Sequence, residues 1–545
     1  MAVYLGFDSS TQSLSAVAIE VEGSRRSVIY ERCINFDEDF PDYNTQNGIL
    51  PHDDPQVARS SPLLWAEALD RLMGIIVKES GIPVEQIRAI SGSGQQHGSV
   101  YLNAGASSVL GHLDPKRSLV EQIRPMFSRE SSPIWMDSST TVECAEITEA
   151  VGGRGVLPLL TGSRAFERFT GPQIRKYFKQ DPEGYACTDK IHLVSSYMAS
   201  LLSGKHAPID PGDGAGMNLM DLGEGRWSEI AVQATAPELE SKLPELMEPW
   251  TVVGELSPYW VKRYNFPEKT RVISWSGDNP STLIGIGLLR QGDIGVSLGT
   301  STTLFGFMSK LQVDPTGSGH VFGCPTGDFM SLICFENGSL AREQIRQEHG
   351  LDWEGFSRAL RSTQPGNKGR VLLPWFRPEI TPTVHAPGAR RYGLDPKDGP
   401  ANVRAVVEGQ MMALAIHSQW MGVPVRTVHA TGGAAGNREI LRVMADVLNA
   451  EVYQFETSKT ASLGAALRAY HADQLARGEQ VMWEEVVAGF SEPVKESRIV
   501  PDVKSVELYT ELKSIYSACE AHALRGGADP SSLLATFSKR KDLQA

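Results

Sequence analysis

Twice in this chain, about half its length apart, an apolar run breaks into a turn of small hydroxyl residues and then resumes. The first copy is Tyr4-Leu5-Gly6-Phe7, then Asp8-Ser9-Ser10-Thr11-Gln12-Ser13, then the alternating stretch Ser15–Glu20. The second is Gly292–Leu298, then Gly299-Thr300-Ser301-Thr302, then Thr303–Phe307. Each reads as strand, polar turn, strand. A unit this specific, repeated at such a distance, predicts two domains of related design rather than one continuous core.

The segments around the copies alternate between strand and helix. Leu63–Ser80 has helical apolar spacing and Ile87–Ser91 reads as a buried strand. Thr427–Thr431, Arg438–Leu448, Val452–Phe455 and Ala461–Ala472 continue as strand, helix, strand and helix. The pattern predicts α/β domains with helix-covered sheets. The boundary is expected within Lys262–Thr270, dividing the chain into 1–266 and 267–545. Segment Pro374–Pro400 is rich in Pro, Gly and charge and is expected to be a loop insertion in the second domain. The last ~70 residues read as a polar helical tail.

Composition narrows the function. The 545 residues carry 52 Lys+Arg against 65 Asp+Glu, a net charge of -13. That argues against nucleic-acid or anionic-membrane partners held by bulk electrostatics, and leaves room for an anion in a local pocket. The six cysteines are dispersed with no Cys-x-x-Cys pair, so no zinc or redox motif is expected and a reducing, cytoplasmic compartment fits. The N-terminus lacks the basic flank of a signal peptide, and the longest apolar helical stretch, Val406–Trp420, is interrupted by Glu408, Gln410 and His417.

Several turns carry residues with chemical potential. Asp8 ends a buried strand and is followed by Ser and Thr, a set that can hold hydrated Mg²⁺ near phosphates and equally can form an Asx-turn. The Gly299-Thr300 turn allows close backbone approach to a polyphosphate, or simply makes a hairpin. Gly432-Gly433-Ala434-Ala435-Gly436-Asn437 follows a strand and opens a helix, with neither a Walker A nor a dinucleotide pattern. Ser276-Gly277-Asp278-Asn279-Pro280 puts a carboxylate at a strand's carboxyl end, where α/β sheets place ligands. Locally, a cap with Asn279 at the N-cap and Pro280 at N1 is the favoured reading. Gly94-Gln95-Gln96-His97-Gly98, Trp135-Met136-Asp137 and Arg168 offer groups suited to sugar hydroxyls, though each alone reads equally as structure.

Taken in order, these segments resemble the FGGY family of carbohydrate kinases. The set comprises Gly6–Thr11, Gly94–Gly98, Trp135-Met136-Asp137, Gly277-Asp278-Asn279, Ser297–Ser301 and Thr431–Ala434, covering most of the chain from about residue 3 to residue 475. Trp135–Thr141 and Ser163–Gly171 are most similar to a long, eukaryotic-type subgroup that acts on D-xylulose. The resemblance implies two actin-like (ribonuclease H-like) domains flanking a cleft, with sugar mainly on the first and ATP mainly on the second. It implies Asp278 as general base, with Asn279, His97 and Arg168 on the sugar hydroxyls and Gln96, Trp135 and Asp137 nearby. It implies Asp8 for Mg²⁺, Thr11 facing the γ-phosphate, and Gly299 and Thr300 on the ADP phosphates. Gly432, Gly433 and Asn437 would border the nucleoside, and Trp353 would stack on it; by its own sequence, Asp352-Trp353-Glu354 is only a helix start. Gln96 stands where short bacterial members commonly have methionine, which suggests a more polar pocket floor. A kinase for ribulose, gluconate or glycerol, or a non-catalytic sensor on the same scaffold, remains the alternative. A monomer or homodimer is expected.

Overall fold

The computed structural model describes residues 2–23, 25–455 and 459–540. Two large sheets organise it, and only their strands are numbered. The first contains β1 (Ala2–Ser9), β2 (Ser13–Glu22), β3 (Arg25–Asn35), β4 (Ile87–Gly94), β5 (Val252–Glu255), β6 (Arg271–Ile273) and β7 (Ser276–Gly277). Its order is β5-β6-β4-β1-β2-β3, with β7 also pairing β4. The second contains β8 (Asp293–Leu298), β9 (Thr302–Met308), β10 (His320–Gly323), β11 (Phe329–Phe335), β12 (Thr427–Thr431), β13 (Glu451–Gln454) and β14 (Val494–Ile499). They run β10-β11-β9-β8-β12-β13-β14.

The sheets share a plan. In each, the strand that leads into the small-residue turn is central. It pairs antiparallel with its hairpin partner (β1 with β2, β8 with β9) and parallel with a later strand on the other side (β4, β12). Strands paired this way are covered on both faces, and β1 accordingly is apolar almost throughout, with Val3, Tyr4, Leu5 and Phe7 buried.

Helices cover the sheets. On the first sheet lies α1 (Pro62–Glu79), which buries Leu64, Trp65, Leu69 and Leu72. Between the sheets cross α2 (Asp278–Gly285) and the long α5 (Thr460–Ala476); the second sheet is covered by α3 (Gly399–His417) and α4 (Arg438–Leu448). Helix α5 lies so close to β1 that a Cβ at Gly6 would overlap Ser462 O and Ala466 N. It meets α2 the same way, since a Cβ at Gly464 would overlap Ser281 O. The chain thus returns from the second half to pack on the first sheet, and Arg468 of α5 is fully buried there.

Three expectations are revised. β6 and β7 lie beyond residue 266 yet pair parallel with β4, so sheet membership changes between Gly277 and Asp293 rather than at 266/267. A boundary read from local composition misses this because the partner strand lies far back in sequence. The C-terminal ~70 residues are not a polar tail: β14 pairs antiparallel with β13, and helix Val503–Arg525 buries Leu508, Tyr509, Leu512 and Tyr516. Segment 374–400 is loop only in part. Arg390–Tyr392 pairs with Val371–Leu373, and the Glu379 carboxylate accepts the Glu336 and Asn337 N–H groups at 2.6 and 3.1 Å.

Candidate active site

Strand register brings the two most promising carboxylates together. On β4, Ser93 is level with Asp8 of β1 on one side and with Ser276 of β7 on the other. Asp8 and Asp278 therefore project from the carboxyl ends of strands flanking β4, their backbones about 10 Å apart. The end of a parallel strand group is where open sheets leave a crevice.

Both carboxyls hold protons more tightly than usual. Burial, then the Asp278 charge, raises Asp8 from 3.8 to about 7, although the Ser93 hydroxyl donates to its Oδ1 at 2.7 Å. Burial raises Asp278 from 3.8 to about 6, opposed by hydrogen bonds from Asn279 and the Gln96 backbone. Asp278 opens α2 as its first helical residue with Gly277 as N-cap, so Asn279 and Pro280 lie inside the first turn rather than at N-cap and N1. Gly277 is required: a Cβ there would overlap the Gln96 side chain.

That approach builds a polar floor. Asn279 Nδ2 donates to Gln96 Oε1 at 2.7 Å, and Gln96 Nε2 donates to the Gly212 carbonyl at 3.1 Å. His97 follows with a left-handed φ of 72°, which turns its ring onto Phe169 with centroids 4.2 Å apart. Its Nδ1 lies 2.7 Å from the Gly216 carbonyl, which can only accept, so Nδ1 carries the proton and Nε2 is left as an acceptor. Burial, helped by the Arg168 charge, lowers His97 to about 3, so the imidazole is neutral at physiological pH.

Arg168 bridges the two halves. Its Nη2 lies 3.3 Å from His320 Nε2 on β10, while Nε has no acceptor among the described residues. It lines a cleft of about 610 Å³ together with Trp135, Met136, Glu336, Arg377 and His385. Trp135 is 41% exposed there, and its Nε1 donates to Thr11 Oγ1 at 2.8 Å. Thr11 in turn donates to Gln95 Oε1 at 3.3 Å, so the first hydroxyl turn is tied to the segment that carries Gln96 and His97. Asp137 lines the same cleft, but its oxygens are already engaged. It is 2% exposed, and its oxygens accept from Ala58 N at 3.1 Å, Ser139 N at 3.0 Å, Gln173 Nε2 at 2.8 Å and the Ser139 hydroxyl. Its carboxylate holds the loop that presents Trp135.

A second cavity, about 730 Å³, lies over the second sheet and gathers the remaining predicted residues: Gly299, Thr300, Trp353, Gly433 and Asn437. Gly432 stands beside them with φ +84°, its backbone against Leu298, where a Cβ would come within 3.0 Å. Asn437 caps α4 by accepting the N–H groups of Glu439 and Ile440 at 3.0 and 3.2 Å, and its Nδ2 donates to Ser357 Oγ at 2.9 Å. Trp353 does open a helix, capped by Asp352, and is also 47% exposed in the pocket wall with the Arg346 guanidinium 5.2 Å from its ring centroid.

Among the described residues no cluster of three or more His, Cys, Asp or Glu could cage a metal by itself. Asp8, however, has its proton affinity raised by burial and then by a facing carboxylate, and a cation completed by water and phosphate oxygens fits such a place. Sequence reasoning missed Ser93, His320 and Arg342, which lines the second cavity. None sits in a recognisable motif.

Known proteins resemble this chain over most of its length. The N-terminal domain profile of the FGGY family of carbohydrate kinases matches residues 130–285 and the C-terminal one residues 295–472. The chain is 43% identical to xylulose kinase of Mus musculus over 535 residues, 96% of this chain and 95% of that one. Against xylulose kinase 2 of Arabidopsis thaliana it is 42% identical over 492 residues, 86% and 87% of the two. A solved xyloylose kinase from Brucella ovis superposes with a TM-score of 0.78 at 22% identity, covering 96% of this chain and all of that one (100%). A glycerol kinase from Plasmodium falciparum with ADP gives 0.75 at 17% identity, covering 96% and 99%. The shared fold is the two-domain, actin-like α/β architecture around a cleft. With both family domains matched in order and a relative 43% identical over 96% of this chain, the chain belongs to the FGGY family of carbohydrate kinases.

Proposed function

We propose that this protein transfers the terminal phosphoryl group of ATP to the primary 5-hydroxyl of D-xylulose, giving D-xylulose 5-phosphate and ADP. The observation that carries the reading is Asp278 at the carboxyl end of its strand, flanked by Asn279 and Gln96 and facing Asp8, in a chain this similar to xylulose kinases. Asp278 accepts the proton of the sugar hydroxyl as its oxygen bonds to the γ-phosphorus and the bond to the ADP oxygen breaks. A carboxyl near 6 suits that task, being ionised at neutral pH yet basic enough to take the proton. Neutral His97 Nε2 and Asn279 Oδ1 accept from sugar hydroxyls, the Asn279 amide hydrogens being held by Gln96 and Asp278, while Arg168 donates and Trp135 lends an apolar face.

The nucleotide lies in the second cavity, its phosphates on the Gly299-Thr300 turn and its base beside Trp353, Gly433 and Asn437, with Gly432 shaping the floor. The first sheet and its loops, with Asp278 and Asn279, serve the sugar, and the second sheet serves ATP. Asp8, with its ligand oxygens, is the place for Mg²⁺, which when bound neutralises phosphate charge. Closure of the cleft keeps water from competing as acceptor. The free state of all six cysteines fits a cytoplasmic enzyme.

The test is coupled ADP release across D-xylulose, D-ribulose, glycerol and gluconate. D-xylulose should give the highest kcat/KM. Preference for another substrate reassigns the sugar, and sugar-independent hydrolysis alone defeats the kinase reading.

A further inference from the structure

The second cavity has a charged wall that no motif announces. Helix Ser339–Glu348 starts against the Gly299 turn: Ser339 N–H donates to the Gly299 carbonyl at 2.9 Å, and a Cβ at Gly338 would overlap Thr300 O. No side chain caps this helix start. One turn along, Arg342 lines the cavity yet is 0% exposed. Its Nη1 donates to Gln410 Oε1 at 2.8 Å, and Gln410 Nε2 donates to the Asn337 and Gly338 carbonyls at 2.7 and 2.8 Å. Gln410 thus fixes the guanidinium to the backbone that leads into the Gly299 contact.

The remaining donors are unused. Arg342 Nε and Nη2 have no hydrogen-bond partner among the described residues, and no ion pair to it is formed there. Burial alone lowers the group to about 10, with no acidic neighbour offsetting it, so it stays charged at neutral pH. An isolated buried cation is costly to a fold and is usually paired. In a low-dielectric wall its field is poorly screened, and a nearby anion feels it strongly.

We infer that Arg342 is the buried counter-charge for the phosphates of the bound nucleotide, making the pocket select nucleoside di- and triphosphates over the nucleoside. The inference rests on the kinase reading for the identity of the ligand. It adds a phosphate-holding residue outside the two glycine turns.

Calorimetric titration of the full chain with ADP, AMP and adenosine tests it, comparing wild type with Arg342→Met and Arg342→Lys. Removing a buried charge from an anion's partner set should weaken ADP by ~10-fold or more in Arg342→Met. Adenosine affinity should stay unchanged, and Arg342→Lys should recover part of the ADP affinity. In thermal melts the ADP-induced rise in Tm should shrink in Arg342→Met by more than the unliganded Tm changes. Equal loss for ADP and adenosine, or unchanged ADP affinity, overturns the inference while leaving the kinase reading intact. A wild type that binds no ADP overturns both.

Discussion

The two ligand regions solve recognition differently. On the proposed sugar side nearly every side chain is held by a hydrogen bond of its own: Asn279 by the Gln96 side chain, Gln96 and His97 by the Gly212 and Gly216 carbonyls, and Trp135 by the Thr11 hydroxyl. On the proposed nucleotide side the work falls to backbone and helix starts. Gly432 lies flat on Leu298, Asn437 caps α4, and Trp353 leaves half its ring in the open. A sugar must be read hydroxyl by hydroxyl, which calls for oriented donors and acceptors with no freedom. A polyphosphate is a strong anion, for which peptide N–H groups and a buried cation suffice.

If this contrast is correct, damage on the two sides should register in different quantities. The largest effect belongs to Asp278→Ala, which should lower kcat by ~10²-fold or more while the melting curve stays cooperative. Near-normal turnover in that variant would erase the distinction.

Next comes Asp8→Asn, read as stability. Folding raises the Asp8 carboxyl from 3.8 to about 7, so its protonated form favours the fold. That contribution is complete below the unfolded value and is lost as pH rises through about 7. Asp8→Asn should therefore be stabilising at pH 8, by about 2 kcal/mol, with the gain shrinking toward pH 4. Urea melts across that range check it, and a gain that grows toward acid would contradict it. The same variant should lose Mg²⁺-dependent activity.

Asp137→Ala should separate the loop from the chemistry. Losing the acceptor for Ala58, Ser139 and Gln173 leaves buried donors unpaired and should cost roughly 2 kcal/mol. The Tm should fall, and the KM for D-xylulose should rise only through misplacement of Trp135. The smallest effect is expected from Trp353→Ala: a KM for ATP raised several-fold with kcat for D-xylulose retained. A fall in kcat instead would move Trp353 to the catalytic side.

Much of this was legible in the sequence where local signals and tertiary needs coincide. Strand Thr427–Thr431 and helix Arg438–Leu448 appear with the predicted ends, because Asn437 is both cap and pocket residue. The strand Val494–Ile499 was not, since Lys495, Glu496 and Arg498 give a polar run that only an edge position accommodates. Helix Val503–Arg525 was read as polar because its buried Leu508, Leu512 and Cys519 are interleaved with charges. The structural hydrogen bonds of Asp137, which also lines the cleft, are not legible, because a carboxylate's partners on distant loops leave no trace in spacing. Arg342 is the sharpest case: a lone arginine in a charged helix reads as surface, and only packing against Gln410 buries it.

The most direct measurement is the pH dependence of kcat/KM for D-xylulose in the wild-type enzyme, followed by ADP release with and without the sugar. Proton abstraction by a carboxyl held near 6 predicts sugar-dependent release with an acid limb close to that pH. Release that ignores the sugar, or a profile flat down to pH 4, would contradict it.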